Sequence, residues 1–399
     1  MNKLLIIICI FLVGIMQQSC KEEERLDHID YAAPAPAPVS DIKVENLPGG
    51  AILKYTITNA DNLAYVKAVC EITPGNIRED KASLYMDTLK LNGFGEAKPY
   101  EVKVYSVGLN EKQSEPVIVT INPTKPPILI SFEELSMETT FGGIKIKYHN
   151  EAQANLGIVL LADTTGEGQW ETLQTFYTKA PNGSFSYRGL KPKEVRFATY
   201  LRDRWDNKSD TLVSTLTPLF EETIPKTGYS ALNLATDTYQ PVESQYPIEK
   251  MWDNNIGSIF ASKHDSKSPQ WFTVDLGHTV LLSRMKEHQR HANYTYTGSN
   301  VKSFEIWGTT SPAPDGSFNN WFKLGEFNSY KPSGLPMGQH TDEDINYAHI
   351  EGEDFEFNSD LFPDVKKEVR YIRFKTTATY GGGAQVTIAE IAFWGQIIK

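Results

Sequence analysis

The sequence predicts an all-β chain, and three observations carry that prediction. Tyr100, Val102 and Val104 face one way while Glu101 and Lys103 face the other, the period-two alternation of a half-buried strand. Similar short runs, separated by Gly, Asn and Pro turns, recur along the chain, and helix-period segments are scarce. Gly49-Gly50-Ala51-Ile52-Leu53-Lys54-Tyr55 returns 93 residues later as Gly142-Gly143-Ile144-Lys145-Ile146-Lys147-Tyr148, and Glu101-Val102-Lys103-Val104 returns at the same offset as Glu194-Val195-Arg196-Phe197. Two matches at one offset indicate a duplicated unit of about 90 residues, a size that suits a small antiparallel sandwich.

At the N-terminus, Lys3 precedes the apolar run Leu4 to Met16, followed by Gln17, Gln18, Ser19 and Cys20. A positive start, a short apolar core and a small residue before the cut make a secretory signal over residues 1–19. The run is shorter than the roughly 20 residues a membrane-spanning helix needs. The cysteine at the cut resembles the lipobox of bacterial lipoproteins, and Lys21, Glu22, Glu23 and Glu24 look like the surface-export signal of Bacteroidetes lipoproteins. That resemblance implies acylation of Cys20 and a lipid-anchored chain on the outer membrane, facing the cell surface. Residues 20–40 continue as a linker whose Ala33-Pro34-Ala35-Pro36-Ala37-Pro38 favours extended polyproline II, a stiff spacer.

Residues 41–124 and 125–226 are read as the two sandwich modules, punctuated by Pro123, Pro126 and Pro127 and by the stretch 225–228. In the first, Ala64, Val66, Ala68, Cys70 and Ile72 form one apolar strand face, which predicts a buried, unreactive thiol. With Cys9 in the signal and Cys20 acylated, Cys70 has no disulfide partner within the mature chain. In the second, Arg202-Asp203-Arg204-Trp205-Asp206-Asn207-Lys208 reads as a charged turn whose Trp205 packs against the neighbouring module, with a partner-binding hot spot as the alternative. Both modules resemble fibronectin type III or immunoglobulin-like domains.

Residues 227–399 differ in texture and hold five of the seven tryptophans: Trp252, Trp271, Trp307, Trp321 and Trp394. Ser268-Pro269-Gln270-Trp271-Phe272-Thr273-Val274-Asp275-Leu276-Gly277 resembles the signature strand of discoidin, or coagulation factor 5/8 type C, domains. Met251 to Ser262 is similar to the loop before that strand. Phe304-Glu305-Ile306-Trp307, Arg370-Tyr371-Ile372-Arg373-Phe374 and Ala389 to Gly395 are similar to the family's later strands. The implied fold is all-β: two tandem antiparallel β-sandwich modules, fibronectin III/Ig-like, followed by a discoidin-like jelly-roll β-barrel. The layout as a whole resembles Bacteroidetes surface lipoproteins of polysaccharide-utilisation loci.

The discoidin resemblance implies two sites. Asp253 and Glu390 match the positions that hold a structural Ca²⁺ together with backbone carbonyls, although Asn254 and Phe260 depart from the family pattern. Six to eight oxygen donors suit that ion. Carbohydrate-binding members take sugar at barrel-end loops, where aromatic faces stack on pyranose rings and Arg, His and Asn reach hydroxyls. His288, Arg290, His291, Tyr294 and Tyr296 supply this inventory in one loop, with Arg290 matching the family's loop arginine. Tyr380, followed by Gly381, Gly382 and Gly383, offers a second loop where a ligand can approach the backbone. His288 and His291, on a loop without cysteine, fix no zinc geometry.

Acidic residues outnumber basic ones by 50 to 39, a net charge of −11 that repels nucleic acid and anionic lipid. Membrane contact is then through the N-terminal lipid only. The chain has no Gly-x-Ser-x-Gly, His-Glu-x-x-His or phosphate-binding glycine loop. Its acid clusters, Asp342-Glu343-Asp344 and Glu351-Gly352-Glu353-Asp354, read as solvated loops. The expected function is non-catalytic capture of glycan at the cell surface through the C-terminal domain. The alternative is a scaffolding subunit that contacts an outer-membrane transporter or a surface enzyme and has no glycan site of its own.

Overall fold

The computed structural model describes residues 29–59, 61–240, 242–264 and 267–398; the signal segment, Cys20 and Lys21 to Glu24 lie outside them. Seven strands build the first sandwich: β1 (Ser40–Leu47), β2 (Gly50–Thr56), β3 (Leu63–Thr73), β4 (Asn76–Ser83), β5 (Thr88–Asn92), β6 (Tyr100–Gly108) and β7 (Val117–Ile121). Its sheets run β1-β2-β5 and β4-β3-β6-β7. A short helix, α1 (Pro127–Glu133), carries Pro at its start, where the missing N–H costs nothing, and leads into the second sandwich. That sandwich comprises β8 (Ser136–Thr140), β9 (Gly143–His149), β10 (Leu156–Asp163), β11 (Glu171–Thr178), β12 (Asn182–Arg188), β13 (Val195–Arg202) and β14 (Lys208–Leu216). Its sheets run β12-β9-β8 and β11-β10-β13-β14.

The two strand orders correspond one to one. Gly49 and Gly142, which precede β2 and β9, share left-handed φ values of 61° and 63°. The repeat in the sequence is thus a repeat of topology, with glycine where an L side chain would be strained. Each core is made by alternate strand positions: Leu53, Val66, Ala68, Cys70, Val102 and Val104 in the first, Ile144, Ile146, Ile158, Leu160 and Phe197 in the second. Cys70 is buried as expected, and burial pushes its thiol pKa up.

The Ala-Pro segment, expected to be a stiff spacer, is held against the first module. Asn62 Nδ2 donates to Pro34 O at 3.0 Å, Asn110 Nδ2 to Ala33 O at 2.9 Å and Thr58 Oγ1 to Pro38 O at 3.0 Å. Prolines leave backbone carbonyls without competing N–H groups, so neighbouring side chains can pin the segment along the first module. At the junction of the two modules Trp205 packs as the sequence suggested. Its ring covers Gly93, where a Cβ would stand 2.7 Å from the indole, and Asn207 Nδ2 donates to Gly93 O at 3.1 Å.

The C-terminal unit contains β15 (Glu222–Thr223), β16 (Ser230–Ala231), β17 (Phe260–Ala261), β18 (Gln270–His288), β19 (Val301–Thr309), β20 (Phe322–Asn328), β21 (Glu353–Glu356), β22 (Val369–Thr379), β23 (Thr387–Ile388) and β24 (Glu390–Ile397). Its main sheet runs β15-β24-β18-β22-β19-β20, with β16 and β21 also pairing β18, while β17 pairs β23. The signature segment becomes the first half of β18. Residues 270–275 pair with β22 and residues 280–288 with β24, across an irregularity between them. Gly277, with φ 74°, lies in that irregularity, and the Gly228 carbonyl oxygen approaches to 2.7 Å of where a Cβ would be. The core is an aromatic stack: Phe304 lies 4.6 Å from Phe374, which lies 5.3 Å from Phe272.

Ion pairs fix the second sandwich against this unit. Glu356 of β21 meets Lys145 of β9 at 3.2 Å and Arg188 of β12 at 3.1 Å, and Glu221 meets Arg188 at 3.1 Å and Arg284 of β18 at 3.2 Å. Burial raises the Glu356 pKa, but Arg188, Ser186 and Lys145 more than offset it and hold the carboxyl below its ordinary value.

Candidate functional site

The candidate cleft forms where β18 ends at His288 and the chain crosses residues 289–300 to β19. Asn300, which is buried, shapes that crossing. Its Oδ1 accepts from Arg290 N at 2.8 Å, and its Nδ2 donates to Tyr294 O at 2.6 Å and Thr297 O at 3.3 Å. The loop after β22 docks on the same turn, with Tyr380 N donating to Asn300 O at 3.1 Å and Gly381 N to Gly298 O at 2.6 Å. A Cβ on Gly381 would stand 2.9 Å from that Gly298 oxygen, so glycine permits the approach. His264, Arg290, Tyr294, Asn300, Gly383 and Gln385 line an open cleft of about 410 Å³ between these loops.

Within it the Arg290 Cζ lies 3.8 Å from the centre of the Tyr294 ring, and His291 meets that ring edge-on at 5.2 Å. A cation over a ring face is held by about 0.5–2 kcal/mol without being neutralised. Arg290 Nε is buried without a hydrogen-bond partner among the described residues. Tyr294 remains 43% exposed. No atom lies within 4 Å of where a Cβ on Gly383 would be, so the backbone there is open to a ligand. A guanidinium, a ring, an amide and bare backbone together suit recognition of hydroxyl oxygens.

Of the six expected contact residues, Arg290 and Tyr294 line this cleft. His291 is exposed beside it. Tyr296 is fully buried: its N–H donates to Gln289 Oε1 at 2.7 Å and its Oη to Tyr330 O at 2.9 Å. His288 lies under Gly352, with Nδ1 2.8 Å from His349 O, and burial lowers its pKa. Tyr380 turns inward, its ring edge-on to Tyr296 at 5.4 Å and its Oη donating to Ser329 Oγ at 3.0 Å; burial pushes its pKa to about 12. His288, Tyr296 and Tyr380 are therefore supporting residues, a correction to the loop reading. The left-handed backbone at Tyr296, φ 56°, accompanies the change of direction between Tyr294 and Tyr296. His264, Asn300 and Gln385 were missed because they come from three separate segments and carry no local motif.

The acid clusters are also less solvated than expected. Asp344, on α2 (Asp342–Ile345), is buried and accepts from Ser333 N at 2.9 Å, Ser333 Oγ at 2.6 Å and Thr341 N at 2.9 Å. Glu353 is buried directly opposite Glu287 across the β18–β21 pair. It accepts from Ser329 Oγ at 2.7 Å and Tyr330 N at 2.5 Å, whereas Glu287 Oε1 has no partner among the described residues. Burial raises the Glu353 pKa to about 7, and burial together with Glu353 raises that of Glu287 well above the ordinary value.

The expected calcium does not fit the donors present. Glu390 Oε1 pairs with the Lys226 ammonium and accepts Asn254 N at 3.4 Å, and Oε2 accepts Asn255 N at 3.2 Å. Amide hydrogens and an ammonium surround the carboxylate where a calcium site needs further oxygens. Asp253 instead accepts from Lys250 Nζ at 3.0 Å, Asn255 N at 3.0 Å and Ser258 Oγ at 2.8 Å. Among the described residues no group of three or more His, Cys, Asp or Glu side chains is placed to hold a metal ion.

Three family models match the chain, each described as a domain of unknown function: DUF4959 over 36–123, DUF5126 over 124–227 and DUF5000 over 249–395. No curated protein matches. A solved structure titled "SusE-like protein BT2857" is 33% identical, covering 68% of this chain and 100% of that one, with a TM-score of 0.43. The family 32 carbohydrate-binding module of NanJ from C. perfringens, solved with galactose, is 18% identical over 44% of this chain and 98% of its own, with a TM-score of 0.31. A putative chitobiase fragment from Bacteroides thetaiotaomicron is 21% identical over 45% of this chain and 95% of its own, with a TM-score of 0.32. With 33% identity across the entire length of the first, the chain belongs to the SusE-like proteins.

Proposed function

We propose that this SusE-like chain is a non-catalytic cell-surface protein of a polysaccharide-utilisation system, and that its C-terminal unit captures glycan in the cleft around Arg290 and Tyr294. Family membership supports the general role. One observation carries the site: a guanidinium held on a partly exposed ring, with no ion-pair partner among the described residues, facing bare glycine backbone in an open cleft. Arg290 donates to sugar hydroxyls while the ring and its His291 neighbour bound the sugar's apolar edge. Each contact is weak, and many anchored copies on one surface raise the avidity for a polymer. Acylation at Cys20 supplies the anchor, with each buried CH₂ contributing about 0.8 kcal/mol.

Affinity electrophoresis of the full chain through gels containing single polysaccharides tests this reading. Retardation by at least one polysaccharide, lost in Arg290→Ala at unchanged melting temperature, is the expected result. Free migration through every gel would overturn it and favour the scaffolding role.

A further inference from the structure

A second arginine–tyrosine pair occupies a cleft on the middle module. Tyr177 of β11, Gly157 of β10 and Arg202 of β13 stand side by side across three neighbouring strands. Because Gly157 has no side chain, the Tyr177 ring lies over it; a Cβ there would stand 3.3 Å from the ring. Arg202 Nη2 donates to Tyr177 Oη at 3.2 Å, which holds the ring by its edge and leaves its outer face free. The residue is 72% exposed, far more than packing in the sandwich requires.

The ring borders a cleft of about 480 Å³ whose other charged residues are Lys179, Asp203, Arg204 and Asp206. Asp203 is committed to its own turn, accepting from Trp205 N at 2.8 Å, Asn207 N at 3.0 Å and Asn207 Nδ2 at 2.8 Å. Asp206 lies 3.6 Å from Arg202 and is largely exposed. Arg204 stacks on Trp205 at 4.1 Å. Three cations therefore meet two carboxylates here, a positive balance in a chain of net charge −11.

We propose that this cleft is a second saccharide-binding site, on the middle module, and that it takes an acidic sugar. The electron-rich face of Tyr177 receives the C–H face of a pyranose ring. Lys179 and Arg204 hold the carboxylate or sulfate that the sugar carries, by charge-assisted hydrogen bonds. The site shares no residue with the C-terminal cleft and stands whether or not that cleft binds glycan.

Isothermal titration of the full chain with a galacturonic acid hexasaccharide, a heparin hexasaccharide and sialyllactose tests it, with uncharged cellohexaose as the control. At least one acidic probe is expected to bind more tightly than cellohexaose and to weaken with added salt. Tyr177→Ala is expected to reduce that affinity ~10-fold. Tyr177→Phe, which keeps the ring, is expected to leave it within about threefold. Absence of binding by all three acidic probes, equal binding of cellohexaose, or full affinity in Tyr177→Ala would each overturn the proposal.

Discussion

Tyr294 and Tyr296 stand two residues apart on one loop and belong to different physical regimes. Tyr294 carries the Arg290 guanidinium on its face at the edge of an open cleft. Tyr296 is fully buried, bonded to Tyr330 and packed on Tyr380. The region around this loop thus divides into an outer layer of Arg290, Tyr294 and Gly383 and an inner layer of Gln289, Tyr296, Ser329, Glu353 and Tyr380. The inner layer spends its polar groups on one another, with Gln289 Nε2 and Tyr380 Oη both reaching Ser329 Oγ at 3.1 and 3.0 Å. The outer layer keeps an unneutralised charge and open backbone. Aromatic and polar residues in a loop therefore do not mark a binding surface by type alone; unspent hydrogen-bonding capacity beside open space does.

Truncation of the two tyrosines separates the layers most strongly. Tyr296→Ala is expected to destabilise the C-terminal unit by about 3–5 kcal/mol, as for other large buried side chains. Tyr294→Ala, which loses only a partly exposed cation–π contact, is expected to shift stability by no more than about 1 kcal/mol while weakening glycan retention. Urea unfolding of both variants measures this, and equal losses would erase the division.

The next largest effect is pH dependence of the inner layer. The folded-state pKa of Glu353 is raised to about 7, so the folded protein binds more protons than the unfolded chain between its ordinary value and that figure. Stability from this group is fully present below the ordinary carboxylate pKa and is lost as pH rises through about 7. At about 1.4 kcal/mol per pKa unit the change amounts to some 3 kcal/mol, with Glu287 acting in the same direction. Glu353→Gln should flatten the curve. A melting temperature that climbs from pH 5 to pH 8 would contradict the inner-layer assignment.

Smaller effects belong to the outer layer and to Glu390. Gly383→Ala adds a methyl group into open space and should leave the melting temperature unchanged while lowering glycan affinity ~3–10-fold. Unaltered affinity would show that ligand does not approach that backbone. Because Lys226 already sits on Glu390, adding Ca²⁺ or EDTA should move the melting temperature by less than ~1 °C. A larger, saturable rise with Ca²⁺ would restore the family's metal site.

The all-β class, the duplicated sandwich and the buried Cys70 were legible because each rests on periodicity, and periodicity survives without knowledge of long-range contacts. The Trp205 packing was legible for a similar reason, since a bulky ring at a charged turn needs a neighbour. The site was legible only in part. Arg290, Tyr294 and Asn300 lie on one loop, but His264 and Gln385 meet them from two other segments, and the docking of the loop after β22 depends on Gly381 approaching Gly298. Nor could composition tell that Glu353 and Asp344 turn inward, because burial of an acid is decided by the donors around it. Lys226 replaced the expected cation from 164 residues away, a contact that no local motif announces.

The central claim is that the outer layer, led by Arg290, captures glycan. Its most direct measurement is calorimetric titration of the full chain with an oligosaccharide cut from whichever polysaccharide retards it, comparing wild type with Arg290→Ala at equal melting temperature. A loss of ~10-fold or more is predicted, about 1.4 kcal/mol for one charge-assisted contact. Equal affinity in the two proteins would contradict it.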